Sequence, residues 1–141
     1  MARHCTTPLA RTFAVALLLA GLAACGDDAT RAALTRAQAT LASGLPAPYV
    51  EDLTIASVRV EGDALVQTIR SPLGDAIKTR RNPRIHELEQ AEREALRDWC
   101  TDPAVQPLRT TQARLVRRFI DRKGRLFFEV AMPAAACPPP A

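Results

Sequence analysis

The stretch from residue 83 to residue 100 constrains the fold more than any other part of the chain, because its apolar residues recur at helical spacing. Asn82 suits the cap of a helix and Pro83 its first turn, so we expect one helix from Pro83 to about Cys100. Its apolar positions are Ile85, Leu88, Ala91, Ala95, Leu96 and Trp99. The positions expected to face water include Glu87, Glu89, Glu92, Arg93 and Glu94. A helix with one apolar face requires a second layer to cover that face.

Two pairs of strand-like segments flank this helix and can supply the second layer. Residues 53–60 and 64–70 are rich in β-branched side chains, and the short connection between them is centred on Gly62. Residues 113–120 and 126–131 form the second pair, joined by a turn that ends in glycine. The pattern predicts an α+β fold, in which a small antiparallel sheet of two β-hairpins packs against one amphipathic helix.

The predicted α+β domain comprises residues 49–141 and ends in a proline-rich tail. Before it, residues 25–48 predict a helix and a linker. The alanine and leucine content of residues 29–43 favours the helix, which either packs on the domain or forms a stalk. Residues 45–48 contain two prolines and predict a stiff connector.

The N-terminal segment has a basic start, a short apolar middle at residues 13–22, and the run Leu-Ala-Ala-Cys that ends at Cys25. The apolar stretch is too short to span a bilayer, which takes about twenty residues. The segment resembles a bacterial lipoprotein signal. That resemblance implies that residues 1–24 are removed on export and that the thiol of Cys25 carries a lipid anchor. An ordinary secretory signal cleaved after Ala24 and a buried helix are the alternatives.

The residue after Cys25 predicts the final membrane. In the bacterial sorting rule, an aspartate directly after the lipidated cysteine retains a lipoprotein in the inner membrane, and here that position is Gly26. The resemblance therefore implies a protein anchored in the lipid bilayer of the cell envelope and facing the periplasm, in the outer membrane rather than the inner one.

Cys100 and Cys137 are the cysteines that remain if Cys5 leaves with the signal and Cys25 is lipidated. In an oxidising compartment we expect them to form a disulfide, worth about 3–4 kcal/mol in the chain-entropy model. A metal or redox role is the alternative. It is disfavoured because the two cysteines are far apart in the sequence and His86 is the single histidine after the signal.

The sequence contains little that indicates catalysis. An enzyme needs a nucleophile, an acid–base pair or a metal, and no nucleophile, metal-ligand or phosphate-binding motif occurs in the chain. We place His86 on the helix surface. A formal net charge of +4 is too small to indicate nucleic-acid binding. We therefore expect no catalytic residues, no metal, no cofactor and no nucleic-acid partner.

Basic residues form two groups, one before the central helix and one on the last hairpin. Both are interpreted either as a solvated surface that resists aggregation or as a docking surface for an anionic ligand. The candidate surface-binding residues are Lys78, Arg80, Arg81, Arg84, Arg117 and Arg118.

The segment 96–137 combines a helix that ends in cysteine, an Asp-Pro turn, two late strands and a near-terminal cysteine. It is similar to small uncharacterised envelope lipoproteins and, more loosely, to pilotins, which bind secretion-channel subunits and escort them to the outer membrane. The resemblance implies a membrane-anchored, non-enzymatic module that binds an envelope protein. The alternative is a binder of anionic lipid, lipopolysaccharide or cell wall through the basic residues.

Overall fold

The computed structural model describes the backbone of residues 13–140 and the side chains from residue 27 onward. Half of the predicted signal peptide, residues 1–12, lies outside the described residues, and so does the side chain of the predicted lipid site Cys25. Within the described chain, no helix is both long enough and apolar enough to cross a membrane.

A five-stranded sheet forms the centre of the fold, with the strands side by side in chain order. The strands are β1 (Ala47–Pro48), β2 (Thr54–Glu61), β3 (Ala64–Ser71), β4 (Arg114–Asp121) and β5 (Leu126–Pro133). Both predicted hairpins are present, and the glycine in each turn has a positive φ, 62° at Gly62 and 77° at Gly124. This conformation matches the turns that close hairpins, and it is one that glycine adopts without strain.

The two hairpins join through a parallel pairing of β3 with β4, so the sheet is mixed rather than wholly antiparallel. The connection between these strands runs through residues 72–113, which is far longer than the dozen or so residues that a parallel crossover requires. The α+β class is confirmed. The orientation of the central pair differs from the prediction because hairpin signals fix only the strands that a short turn connects.

Three helices pack around the sheet: α1 (Phe13–Ala42), α2 (Ala76–Arg80) and α3 (Ile85–Ala95). The predicted central helix is α3, which continues as a 3-10 segment at Leu96–Thr101. The short helix α2 occupies part of the segment before α3 that contains the first group of basic residues.

Helix α1 belongs to the domain and is not a free stalk. Ala33, Leu34 and Ala37 are almost fully buried and form part of the main core. Residues predicted as a linker also join the domain, since Ala47 and Pro48 pair with β2 at the sheet edge. Two helices, α1 and α3, therefore cover one face of the sheet, where the sequence predicted one.

The main core lies on one face of the sheet, between the strands and these helices. Its largest fully buried side chains include Leu34, Leu65, Ile69, Leu96 and Leu115. Each such side chain contributes about 1.5–3 kcal/mol through removal from water. The opposite face of the sheet has a small apolar cluster of Ala64, Val66 and Val116.

The structure contains the predicted disulfide between Cys100 and Cys137, with a Cα–Cα distance of 5.4 Å. It joins the end of the 3-10 segment after α3 to the segment that follows β5. Both cysteines are buried, and the Arg109 side chain donates a hydrogen bond of 3.1 Å to the carbonyl of Cys137. The bridge therefore fixes the chain after β5 against the core.

Candidate functional site

The orientation of α3 differs from the prediction in a way that creates a surface site. Leu88, predicted to enter the core, is 46% exposed, and Ala91 is also exposed. Glu92, predicted to face water, is 9% exposed. The inward stripe of α3 and its continuation is Ile85, Glu92, Leu96 and Trp99. These spacings of seven, four and three residues are helical, so the buried stripe has the predicted period but is rotated from the predicted face.

Arg117 from β4 holds Glu92 in the core. Its Nη1 atom lies 3.3 Å from Glu92 Oε2 and donates a 2.7 Å hydrogen bond to the Tyr49 hydroxyl. Its Nε atom donates to Gln67 Oε1 at 2.9 Å. The Tyr49 hydroxyl in turn donates to Glu92 Oε2 at 2.7 Å. These four side chains form one buried polar network beneath α3.

The prediction that Arg117 is a surface-binding residue is wrong. Arg117 is 5% exposed, because strand alternation places it on the same side of β4 as Leu115 and Phe119, which is the side that the helices cover. Burial, followed by the hydrogen bond to Glu92, raises the pKa of Tyr49 above its ordinary value. Tyr49 therefore stays protonated and serves as a hydrogen-bond donor.

Arg118 points to the face of the sheet opposite the main core, which we call the open face, and is held there by two carboxylates. Its Nη1 and Nη2 atoms donate to the two oxygens of Glu61 at 2.8 and 2.9 Å, and its Nε atom donates to Glu129 at 2.7 Å. The hydrogen bond from Arg118 lowers the pKa of Glu61. Because both partners neutralise its charge, Arg118 does not join the other basic candidates in one surface.

Those other candidates, Lys78, Arg80, Arg81 and Arg84, lie together on α2 and the connection to α3, and all four are exposed. Arg84 pairs with Glu87 at 3.0 Å. Within the described part of the chain, Lys78, Arg80 and Arg81 make no ion pair. We call these four residues the basic group.

An apolar groove lies beside the basic group, between α2, α3 and the end of the sheet. It has a volume of about 180 Å³. Its apolar lining includes Leu53, Leu88, Phe119, Ile120, Phe127 and Phe128. Phe119 and Phe128 stack with their ring centroids 4.6 Å apart, and Tyr49 contacts Phe119 edge-on at 6.1 Å. The buried polar network therefore adjoins the aromatic part of the groove lining.

Three exposed apolar side chains belong to segments that adjoin the groove lining, since Leu73 precedes Gly74, Leu126 precedes Phe127 and Ile77 lies on α2. Leu73 is 85% exposed, Ile77 44% and Leu126 41%. Leu88 lines both the groove and a second depression along α3, which Ile85 and Ala91 also line. Monomeric proteins rarely leave several large apolar side chains exposed in one region unless the region binds something.

Gly74 sets the close approach of α2 to the groove. A Cβ atom at this position would lie 2.6 Å from Cζ of Phe127 and 2.7 Å from Oγ of Ser71. The Gly74 amide also donates a 2.9 Å hydrogen bond to that same Ser71 oxygen. A side chain at Gly74 would displace Phe127 or the turn itself.

Asp121 fastens α2 to the second hairpin. Its carboxylate is fully buried and accepts hydrogen bonds from the backbone amides of Ala76, Lys123 and Arg125, at 3.2, 2.8 and 2.9 Å. The Arg125 guanidinium adds a bond of 2.7 Å. Burial would raise the pKa of Asp121, but these hydrogen bonds outweigh it and hold the pKa well below that of an ordinary aspartate. One charged aspartate thus holds both the turn and the start of α2 in place.

His86 is exposed and lies 3.5 Å from Glu89. Among the described residues, no group of three or more histidine, cysteine or acidic side chains is arranged to hold a metal ion.

Comparison with known proteins identifies the fold but not a sequence family. No protein-family model matches the chain, and no curated protein matches it. A protein of Pseudomonas aeruginosa that is predicted to be secreted matches 80% of this chain and 96% of its own, with a TM-score of 0.61 and 19% identity.

Two solved pilotins of type 2 secretion systems have the same fold. EpsS of Vibrio vulnificus has a TM-score of 0.54 and 17% identity, over 82% of this chain and 96% of its own. AspS of Vibrio cholerae has a TM-score of 0.51 and 14% identity, over 82% of this chain and 98% of its own. This chain therefore has the fold that pilotins of type 2 secretion systems adopt.

Proposed function

We propose that this chain is a lipid-anchored, non-enzymatic protein of the cell envelope that binds a segment of another envelope protein in the groove. The observation that carries the proposal is Leu88, which α3 holds 46% exposed while it buries Glu92 in the core. Apolar side chains of an amphipathic helix normally enter the core, and charged ones face water. The reversed arrangement favours a surface that a binding partner covers.

The shape of the surface favours a peptide over a small ligand. The groove has a volume of about 180 Å³, below the roughly 300–1,000 Å³ typical of small-molecule pockets, and it adjoins the depression of about 390 Å³ along α3 at Leu88 and Thr79. It suits individual apolar side chains of a docked segment. The unpaired cations Lys78, Arg80 and Arg81 beside it favour a segment whose apolar side chains are flanked by acidic residues.

The pilotin fold supports an assembly role in the envelope. Both EpsS and AspS belong to type 2 secretion systems, and pilotin-like escort of an outer-membrane partner is the corresponding role for this chain. The N-terminal resemblance to a lipoprotein signal supports anchoring at Cys25, and Gly26 supports delivery to the outer membrane.

The second candidate function is binding of anionic lipid or lipopolysaccharide through the basic group. It is favoured by the absence of ion pairs at Lys78, Arg80 and Arg81 within the described chain. Arg117 has no part in it, because it is buried. Binding of this kind should weaken as salt screens the charges, whereas apolar docking in the groove should persist.

Crosslinking in living cells tests the proposal. A photoreactive amino acid at Ile77 should capture one dominant envelope protein, and the same amino acid at Arg59, exposed on the open face of the sheet, should not. Mass spectrometry of the adduct identifies the captured segment. We expect it to combine apolar and acidic residues.

Two charge variants on α3 serve as the matched pair for this experiment. Leu88→Asp places a carboxylate in the groove and should abolish capture from Ile77. Gln90→Asp makes the same change of charge at an exposed position of the same helix and should leave capture intact. If Leu88→Asp has no effect, or if only abundant surface proteins are captured, the groove is not the binding site.

A further inference from the structure

Residues 27–34 of α1 and the groove lie at opposite ends of the sheet. Asp27 and Leu34 of α1 line a depression together with Gly62, Asp63 and Gln112. The last three residues mark the β2–β3 turn and the approach to β4. We call this the turn end of the domain.

The groove, in contrast, is lined by Ser71 and Ile120. These residues stand at the ends of β3 and β4, which run parallel from the turn end. Strand β3 spans the eight residues from Ala64 to Ser71. At about 3.3 Å per residue, this places the groove about 23 Å from the turn end along the sheet.

The predicted lipid site is close to the turn end in sequence and in space. Cys25 precedes Asp27 by two positions, and its backbone belongs to the same helix α1. The helix is already packed in the core at Ala33. With a rise of 1.5 Å per residue, the helix between Cys25 and Ala33 is only about 12 Å long. A chain that begins at a lipidated Cys25 would have no long, flexible tether that lets the domain turn over.

We propose that the turn end of the lipidated protein faces the membrane, so that the groove and the basic group point away from the bilayer. This inference rests on the lipid anchor of the proposed function. Its consequence is that the basic group sits about 23 Å farther out than the turn end. That distance exceeds the Debye length of about 8 Å at physiological ionic strength. The cations are therefore screened from the anchoring membrane and are available to a partner in the periplasm.

Photocrosslinking to lipid tests this orientation on the lipidated full chain. The protein is placed in vesicles of phosphatidylethanolamine and phosphatidylglycerol, with p-benzoylphenylalanine at Asp63 or Gln112 of the turn end, or at Leu73 or Ile77 of the groove end. All four positions are exposed. We expect lipid adducts from Asp63 and Gln112. From Leu73 and Ile77 we expect no signal above that of a Cys25→Ser protein mixed with the same vesicles.

Flotation and intact mass separate the two ways in which this can fail. If the native chain carries no lipid on Cys25, or if Cys25→Ser still floats with the vesicles, the proposed anchor is wrong. The proposed orientation, which rests on that anchor, is then wrong as well. If the lipid is present but Leu73 and Ile77 form adducts as readily as Asp63 and Gln112, the orientation alone is overturned. Adducts confined to the turn end support both.

Discussion

Replacement of Glu92 by leucine should destabilise the domain far more than an ordinary change on a helix. The side chains of Arg117 and Glu92 are only 7% and 12% exposed, and their charged atoms lie 3.3 Å apart. Without Glu92, the buried guanidinium keeps only neutral partners, Tyr49 and Gln67. Breaking a buried pair by removing one member costs about 3–5 kcal/mol. That range is a large part of the total stability of a small domain, roughly 5–15 kcal/mol.

A double variant distinguishes the loss of a charge partner from poor packing of the new leucine side chain. When Glu92→Leu is combined with Arg117→Met, no buried charge is left unpaired, and such replacements are often neutral or stabilising. The double variant should therefore be more stable than Glu92→Leu alone. We expect the coupling between the two positions to be at least about 2 kcal/mol, within the range measured for residues in one network.

Urea unfolding measures these differences through Trp99, the single tryptophan of the chain, which is 7% exposed. Glu94→Leu is the matched control, because it makes the same replacement at an exposed position of α3. It should change the unfolding free energy by no more than about 0.5 kcal/mol. The reasoning is refuted if Glu92→Leu is no more destabilising than Glu94→Leu, or if adding Arg117→Met gives no recovery.

Three further changes probe other parts of the structure. Cys137→Ser should lower the unfolding free energy of the oxidised protein by about 3–4 kcal/mol, and the difference should vanish when the parent is reduced. Gly74→Ala should lower the unfolding free energy by about 1–3 kcal/mol and weaken capture from Ile77, because the new Cβ would lie 2.6 Å from Phe127. Unchanged capture would exclude this contact as part of the site. In urea titrations at several pH values, the unfolding free energy of Asp121→Asn should fall less on acidification than that of the parent. The lowered pKa of Asp121 stabilises the fold above the unfolded value of about 3.9, and this contribution is lost as pH falls from there towards the folded pKa. An equally steep acid loss in Asp121→Asn would contradict this role.

Local signals in the sequence determined most of the fold. Gly62 and Gly124 mark both hairpin turns, and the periodicity after Asn82 marks α3. The cysteine pair follows from counting alone, because Cys100 and Cys137 remain once the N-terminal cysteines are assigned. The turn and helix signals concern residues near one another in the chain, and the cysteine pair concerns a single residue type. None of these signals depends on how distant elements pack.

The features that the sequence reading missed are non-local. The parallel pairing of β3 with β4 depends on where the crossover passes, and no turn motif reports it. The burial of Glu92 depends on Arg117, which lies 25 positions later on a strand. Each residue alone is typical of a solvated face. Only the two considered together, both at inward positions of their elements, predict a buried pair.

Stability does not explain why the core contains this pair. An apolar pair at Glu92 and Arg117 would serve a compact core equally well or better. The network ties α3 to β4, since Glu92 is bound to Arg117 and Tyr49. Ile85, Leu96 and Trp99 point inward on the same stripe as Glu92. In the double variant Glu92→Leu/Arg117→Met this stripe becomes wholly apolar, and it should still hold Leu88 outward. We therefore expect the double variant to fold stably and to keep capture from Ile77. If it folds but loses capture, the polar pair and not the apolar stripe sets the orientation of Leu88.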